Sequence, residues 1–137
     1  EMAESSKNSK ILVCDDDETL CYLLKEQLLE EGFTVDAVYD GKYAIEAVKA
    51  KNYDVLLLDL NMPKKNGQDA LREIKSDQNL RRIPVVVMTT SKRVEDIGLL
   101  YDLGANSYIQ KPTDFTTLVT IVKTLSRYWF EIVELPS

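Results

Sequence analysis

The sequence predicts an α/β fold: a parallel sheet with helices on both faces. Three observations carry this. Short apolar runs alternate with amphipathic stretches about five times, the order of repeated βα units. The run Val55-Leu56-Leu57-Leu58 is apolar without alternation, as a strand buried on both faces must be. Acidic residues directly follow two such runs, Asp15-Asp16-Asp17 and Asp59. Strand ends of that kind are where open α/β sheets bind ligands.

The elements follow in order. Residues 11–14 form the first expected strand. A helix is expected over 19–31, with Leu20, Leu24 and Leu28 on one face and Gly32 as its stop. A modest strand over 34–38 precedes a helix over 41–50, whose apolar content is Ala44, Ile45, Ala47 and Val48. The third strand covers 55–59. The third helix, over 68–76, turns Leu71 and Ile74 inward. Pro84 opens the fourth strand, Val85-Val86-Val87-Met88-Thr89. A helix over 93–103 ends at Gly104, a short strand covers 107–110, and a long helix runs from Asp114 to about residue 130.

A length of 137 residues fits one domain. Residues 1–9, polar and rich in Ser, Asn and Lys, are expected as a flexible tail, 10–127 as the domain, and 128–137 as an extension of the last helix. At 45% hydrophobic and 29% charged the composition is that of an ordinary globular protein. No run approaches the ~20 apolar residues of a membrane span. The first ten residues lack the apolar centre of a secretory leader. A cytoplasmic location and no membrane partner are expected. The net charge of −6 argues against nucleic acid as a partner, which needs a basic face. Cys14 and Cys21 read as buried small hydrophobes. With no histidine in the chain, Ser-His-Asp, Cys-His and histidine phosphotransfer chemistry are excluded within it. Zinc would need more ligands than two cysteines.

Asp15 and Asp16, Asp59, Thr89 and Lys111 all fall at carboxyl ends of expected strands, so a parallel sheet gathers them at one edge. Two acidic strand ends in one small domain suggest an oxygen-lined cation site with one carboxylate left over for chemistry.

The motifs Val13-Cys14-Asp15-Asp16, Asp59-Leu60-Asn61-Met62-Pro63 with Gly67, Met88-Thr89-Thr90, Gly104-Ala105 and Lys111-Pro112 occur in order and at consistent spacing. In this set the chain resembles the receiver domain of bacterial two-component response regulators, of the chemotaxis-regulator type, over about residues 10–125. The resemblance implies a flavodoxin-like, doubly wound, five-stranded parallel sheet of order 2-1-3-4-5. It also implies a Mg2+-dependent phosphorylation switch rather than an enzyme with its own substrate. Asp59 is then the phosphoacceptor for a histidine kinase. Asp16, Asp59 and the Asn61 backbone carbonyl would ligate Mg2+, which prefers oxygen donors. Asp15 would hold a metal-bound water. Lys111 and Thr89 would each take a phosphoryl oxygen. Tyr108, otherwise a half-buried aromatic, would be a switch residue coupled to Thr89. The family places a cis bond between Lys111 and Pro112. Thr90 stands where the family commonly has a smaller residue.

Tyr22 and Leu29, seven apart on the first helix, lie opposite its leucine stripe and fit a kinase helix pair. On the last helix, Phe115, Leu118, Val122, Leu125 and Trp129 form a core stripe. Ile121, Tyr128 and Ile132 form a second one beside it, which suggests a homodimer through the last helix and tail. The aromatic ending is similar to that of single-domain regulators paired with bacterial phytochromes. Two alternatives stand beside the switch. One is an aspartate-nucleophile phosphatase of haloacid dehalogenase type, which needs Asp where Asn61 stands. The other is an interaction module that is never phosphorylated, which the presence of Asp16, Asp59, Thr89 and Lys111 disfavours.

Overall fold

The computed structural model describes residues 9–60, 67–90, 98, 101–112 and 114–127, the last three without their side chains. Five strands, β1 (Lys10–Cys14), β2 (Thr34–Val38), β3 (Val55–Asp59), β4 (Val85–Thr89) and β5 (Ser107–Gln110), form one sheet of order β2-β1-β3-β4-β5. Every neighbouring pair is parallel. The described helices are α1 (Glu18–Glu30), α2 (Gly41–Ala50), α3 (Gly67–Ser76) and α4 (Phe115–Arg127). This is the flavodoxin-like, doubly wound topology. Of the helix expected over 93–103, Gly98, Tyr101 and Asp102 are described and helical. Residues 91–97, 99 and 100 lie outside the described residues.

The three central strands show why alternation is missing from their sequences. β3 and β4 are buried at every position, and β1 at all but Lys10. Their side chains point alternately into two cores. Leu12, Leu56 and Leu58 meet Ala44, Ile45 and Val48 of α2 and Ala70, Leu71 and Ile74 of α3. Ile11, Val13 and Leu57 meet Leu20, Leu24 and Leu28 of α1 and Leu118 and Val122 of α4. Each large aliphatic side chain so buried contributes about 1.5–3 kcal/mol.

Helix ends fix where the strands begin and stop. The Asp17 carboxylate accepts the Leu20 N–H at 3.0 Å and starts α1. At its other end Gly32 takes a φ of 94°, and the Gly32 and Phe33 N–H groups donate to the Leu29 and Leu28 carbonyls. This is a Schellman closure, in which a side chain at Gly32 would be strained. Asp40 caps α2 by accepting the Tyr43 N–H at 3.0 Å.

α4 buries Leu118, Val119 and Val122, while Phe115 is half-buried. Ile121, expected on an outer stripe, is half-buried and packs on the second core. Part of the apolar surface assigned to an interface is therefore covered within the chain. Tyr128, Trp129 and Ile132 lie outside the described residues.

Candidate functional site

The parallel register decides which side chains share the edge. Cys14 stands beside Leu58, Asp59 beside Met88, and Thr89 beside Gln110. One residue further on, the chain leaves the sheet at Asp15, Leu60, Thr90 and Lys111. The Leu60 N–H donates to the Met88 carbonyl at 2.9 Å, and the Lys111 N–H to the Thr89 carbonyl at 2.7 Å. These bonds carry the ladder past the last strand residues and hold the edge flush.

Asp15, Asp16 and Asp59 meet there, each offering one carboxylate oxygen within 4.8 Å of the others. Asp15 is wholly buried and Asp59 is 1% exposed, while Asp16 faces solvent. Lys111 Nζ donates to Asp15 Oδ2 at 2.6 Å and lies 3.6 Å from Asp59 Oδ2. Thr89 is buried at the end of β4. Three carboxylates against one ammonium leave the cluster with excess negative charge, which favours a cation beside it. Burial pushes the Asp15 carboxyl upward and the Asp59 charge adds to this, against the hydrogen bonds from Lys111 and Asp17. Burial works against the Lys111 ammonium, but its bond to Asp15 and the charges of Asp15 and Asp59 outweigh that and hold it above the ordinary lysine range. An all-oxygen donor set of this kind suits a hard divalent cation.

Asp15, Asp16, Asp59 and Lys111 thus come together as the sequence predicts, with Thr89 buried at the end of the neighbouring strand. Asn61 lies outside the described residues. Asp15, expected behind a water, offers an oxygen to the same group as Asp16, within 4.8 Å of the others. The cis bond before Pro112 is corrected: no cis peptide occurs among the described residues. A trans X-Pro bond is favoured by about 0.5–1 kcal/mol, and Lys111 reaches both carboxylates from the trans chain. Tyr108 is half-buried, and its ring meets that of Tyr101 edge-on, centroids 6.2 Å apart. Tyr101 was not expected there; it falls seven residues away across a loop, where no periodicity links the two. Cys21 is buried, as the sequence predicts, and its thiol also donates to the Asp15 carbonyl at 3.3 Å.

The first residue of α3 lies tight against the end of β3. A Cβ placed on Gly67 would collide with the Asp59 carbonyl and lie 2.5 Å from Leu60 Cα, so only glycine lets the helix start against β3.

A sequence profile described as Response regulator receiver domain matches residues 11–123. Response regulator Rcp1 of Synechocystis sp. is 33% identical over 147 positions, covering 99% of this chain and 99% of that protein. Transcriptional regulatory protein CpxR of Klebsiella pneumoniae is 40% identical over 125 positions, which is 90% of this chain and 52% of that protein. The chain therefore spans about half the length of a relative of that kind. The crystal structure of the phosphorylated cyanobacterial phytochrome response regulator RcpA superposes with a TM-score of 0.85 at 40% identity, covering 95% of this chain and 99% of that one. The Mn2+-bound form of response regulator Rcp1 gives 0.83 at 33% identity, covering 94% and 99%. The matched stretch includes every carboxylate of the cluster and Lys111; the chain belongs to the response regulator receiver family, and it is a phosphoryl-accepting switch of the two-component kind.

Proposed function

We propose that Asp59 is the phosphoacceptor of a Mg2+-dependent switch. The observation that carries this is the carboxylate of Asp59 at the end of β3, 1% exposed, inside a cluster with Asp15 and Asp16 and 3.6 Å from the Lys111 ammonium. Asp16 and Asp59, with the backbone carbonyl of Asn61, would hold the ion, and Asp15 supports them from behind. When bound, the divalent ion supplies the positive charge that lets an anionic phosphoryl group approach a carboxylate. An Asp59 oxygen attacks phosphorus, the P–N bond to the donor imidazole breaks, and the imidazole leaves with its electron pair. An acyl phosphate remains. Lys111 pairs with one phosphoryl oxygen and the Thr89 hydroxyl donates to another, so the work is mostly positioning and electrostatics. The chain catalyses only its own phosphorylation and the later hydrolysis. Tyr108 then follows Thr89 and passes the change to the β5 surface.

The donor is a sensor histidine kinase. Tyr22 and Leu29 are exposed on α1, and a groove of about 250 Å3 lined by Leu20, Leu23, Pro112 and Phe115 opens beside Lys111. Both fit the helices of a kinase. Similarity to Rcp1 and RcpA along nearly all of this chain supports a kinase of phytochrome type, with residues 10–127 as the receiver, 1–9 as a tail and 128–137 as an extension. The partner set is that kinase and a second copy of the chain, bound through the last helix and tail, in the cytoplasm. Among the described residues no helix is long and apolar enough to cross a membrane. The phosphatase and unphosphorylated-module alternatives give way to family membership.

Acetyl phosphate with Mg2+, followed by intact mass, tests the assignment. One added phosphoryl group is expected, lost in Asp59→Asn and without divalent ion. Labelling of Asp59→Asn at the wild-type rate would move the acceptor elsewhere.

A further inference from the structure

Asp15 has four polar groups, and each is held by a different part of the chain. Its N–H donates to the Val38 carbonyl at 3.2 Å. Its Oδ1 accepts the Asp17 N–H at 3.0 Å, and its Oδ2 accepts Lys111 Nζ at 2.6 Å. Its backbone carbonyl accepts the Cys21 thiol at 3.3 Å. Asp15 stands one residue past the ladder positions of β1, so the carbonyl has left the sheet. Both residues are wholly buried. A buried carbonyl is costly to leave without a donor, and here the donor is a thiol in the first turn of α1. Burial pushes that thiol up to about 12, with the Asp15 charge adding to it, so the proton stays on sulfur throughout the neutral range.

We propose that Cys21 is a positioning residue of the carboxylate site: its thiol fixes the Asp15 carbonyl and so sets the Asp15 carboxylate that meets Lys111 and the cation-binding cluster. This rests on the reading of Asp15, Asp16 and Asp59 as a divalent-cation site. The competing role is a small apolar filler, the usual fate of a buried cysteine. The two roles depend on different properties of the side chain. A filler needs volume and apolarity, which valine supplies and serine does not. A positioning group needs a donor, which serine supplies and valine and alanine do not.

Mn2+ binding to the full chain, measured by calorimetry, separates them. The variants are Cys21→Ala, Cys21→Val and Cys21→Ser, with Val122→Ala as a packing defect on the same sheet face away from the cluster. Urea unfolding of each metal-free protein is run alongside. Groups that hold a metal site's carboxylates are worth 10–100-fold in affinity, so alanine and valine are expected to weaken Mn2+ binding by about ten-fold. Serine should restore most of that loss. Stability should rank differently, with valine at or above serine and Val122→Ala destabilised at unchanged Mn2+ affinity. Wild-type affinity in the alanine and valine variants would overturn the positioning role and leave the cation site standing. Equal weakening in the serine variant would also overturn it. A wild type that binds no Mn2+ would remove the cation site, and this role with it.

Discussion

In the metal-free chain the buried Asp15 carboxylate costs stability at neutral pH. Its carboxyl is raised, chiefly by burial, so the folded chain binds its proton better than the unfolded chain does. Stability from such a group is present below its unfolded value, about 3.9, and is lost as pH rises through the raised folded value. In metal-free protein, Asp15→Asn should therefore be the more stable form at neutral pH. Its advantage over wild type should shrink as pH falls into the acid range. Urea midpoints across that range check this; an advantage that stays constant or grows toward acid would refute it. Asp36, held below the usual range by the Tyr53 hydroxyl at 2.6 Å, has the opposite sign and acts only in stronger acid. At this scale Asp16, Asp59 and Lys111 were legible because each stands just at or past the end of an expected strand whose parallel neighbours bring it to one edge. The bond made by Cys21 was not, since a thiol's hydrogen bond to a carbonyl six residues back leaves no mark in composition or period. The cis bond before Pro112 came from resemblance alone, and nothing in the chain's own residues required it.

α3 depends on its first residue. Gly67→Ala drives a methyl into backbone atoms of Asp59 and Leu60, and neither can yield as a flexible side chain would. Overpacking of this kind costs about 1–3 kcal/mol, and Gly67→Ala should lower the thermal midpoint and weaken Mg2+ binding together. A variant with unchanged melting and metal affinity would show that the helix start can slide. α1 offers a different test on its outer face, where Tyr22 is 62% exposed. Tyr22→Ala should slow phosphoryl transfer from a kinase and leave acetyl phosphate labelling intact; equal slowing of both would mean a defect in the site. The elements themselves were readable from apolar spacing and stop signals. Leu20, Leu24 and Leu28 do share the buried face, and Gly32 does end the helix. Val119, buried on α4, was missed because the core beneath α4 covers more of that helix than one stripe suggests.

Among the described residues, two cores lie on opposite faces of one sheet, with α1 and α4 on one side and α2 and α3 on the other. Ile121 is half spent on its own core, which shifts the expected dimer contact toward residues 128–137. Wild type should sediment as a dimer at micromolar concentration, more tightly when phosphorylated, and a chain ending at Arg127 should be monomeric. A monomeric wild type in both states would assign the tail to its own domain. One consequence follows from the Lys123–Glu31 pair at 3.6 Å. It anchors the far end of α4 beside the turn that leads into β2, at the amino edge of the sheet, where β1 also begins. The receiver's entry and exit thus sit together on the side away from the phosphoacceptor. A fluorescent reporter or an added output module joined at either side leaves the phosphorylated edge free, which makes the unit portable between longer proteins without redesign of its chemistry.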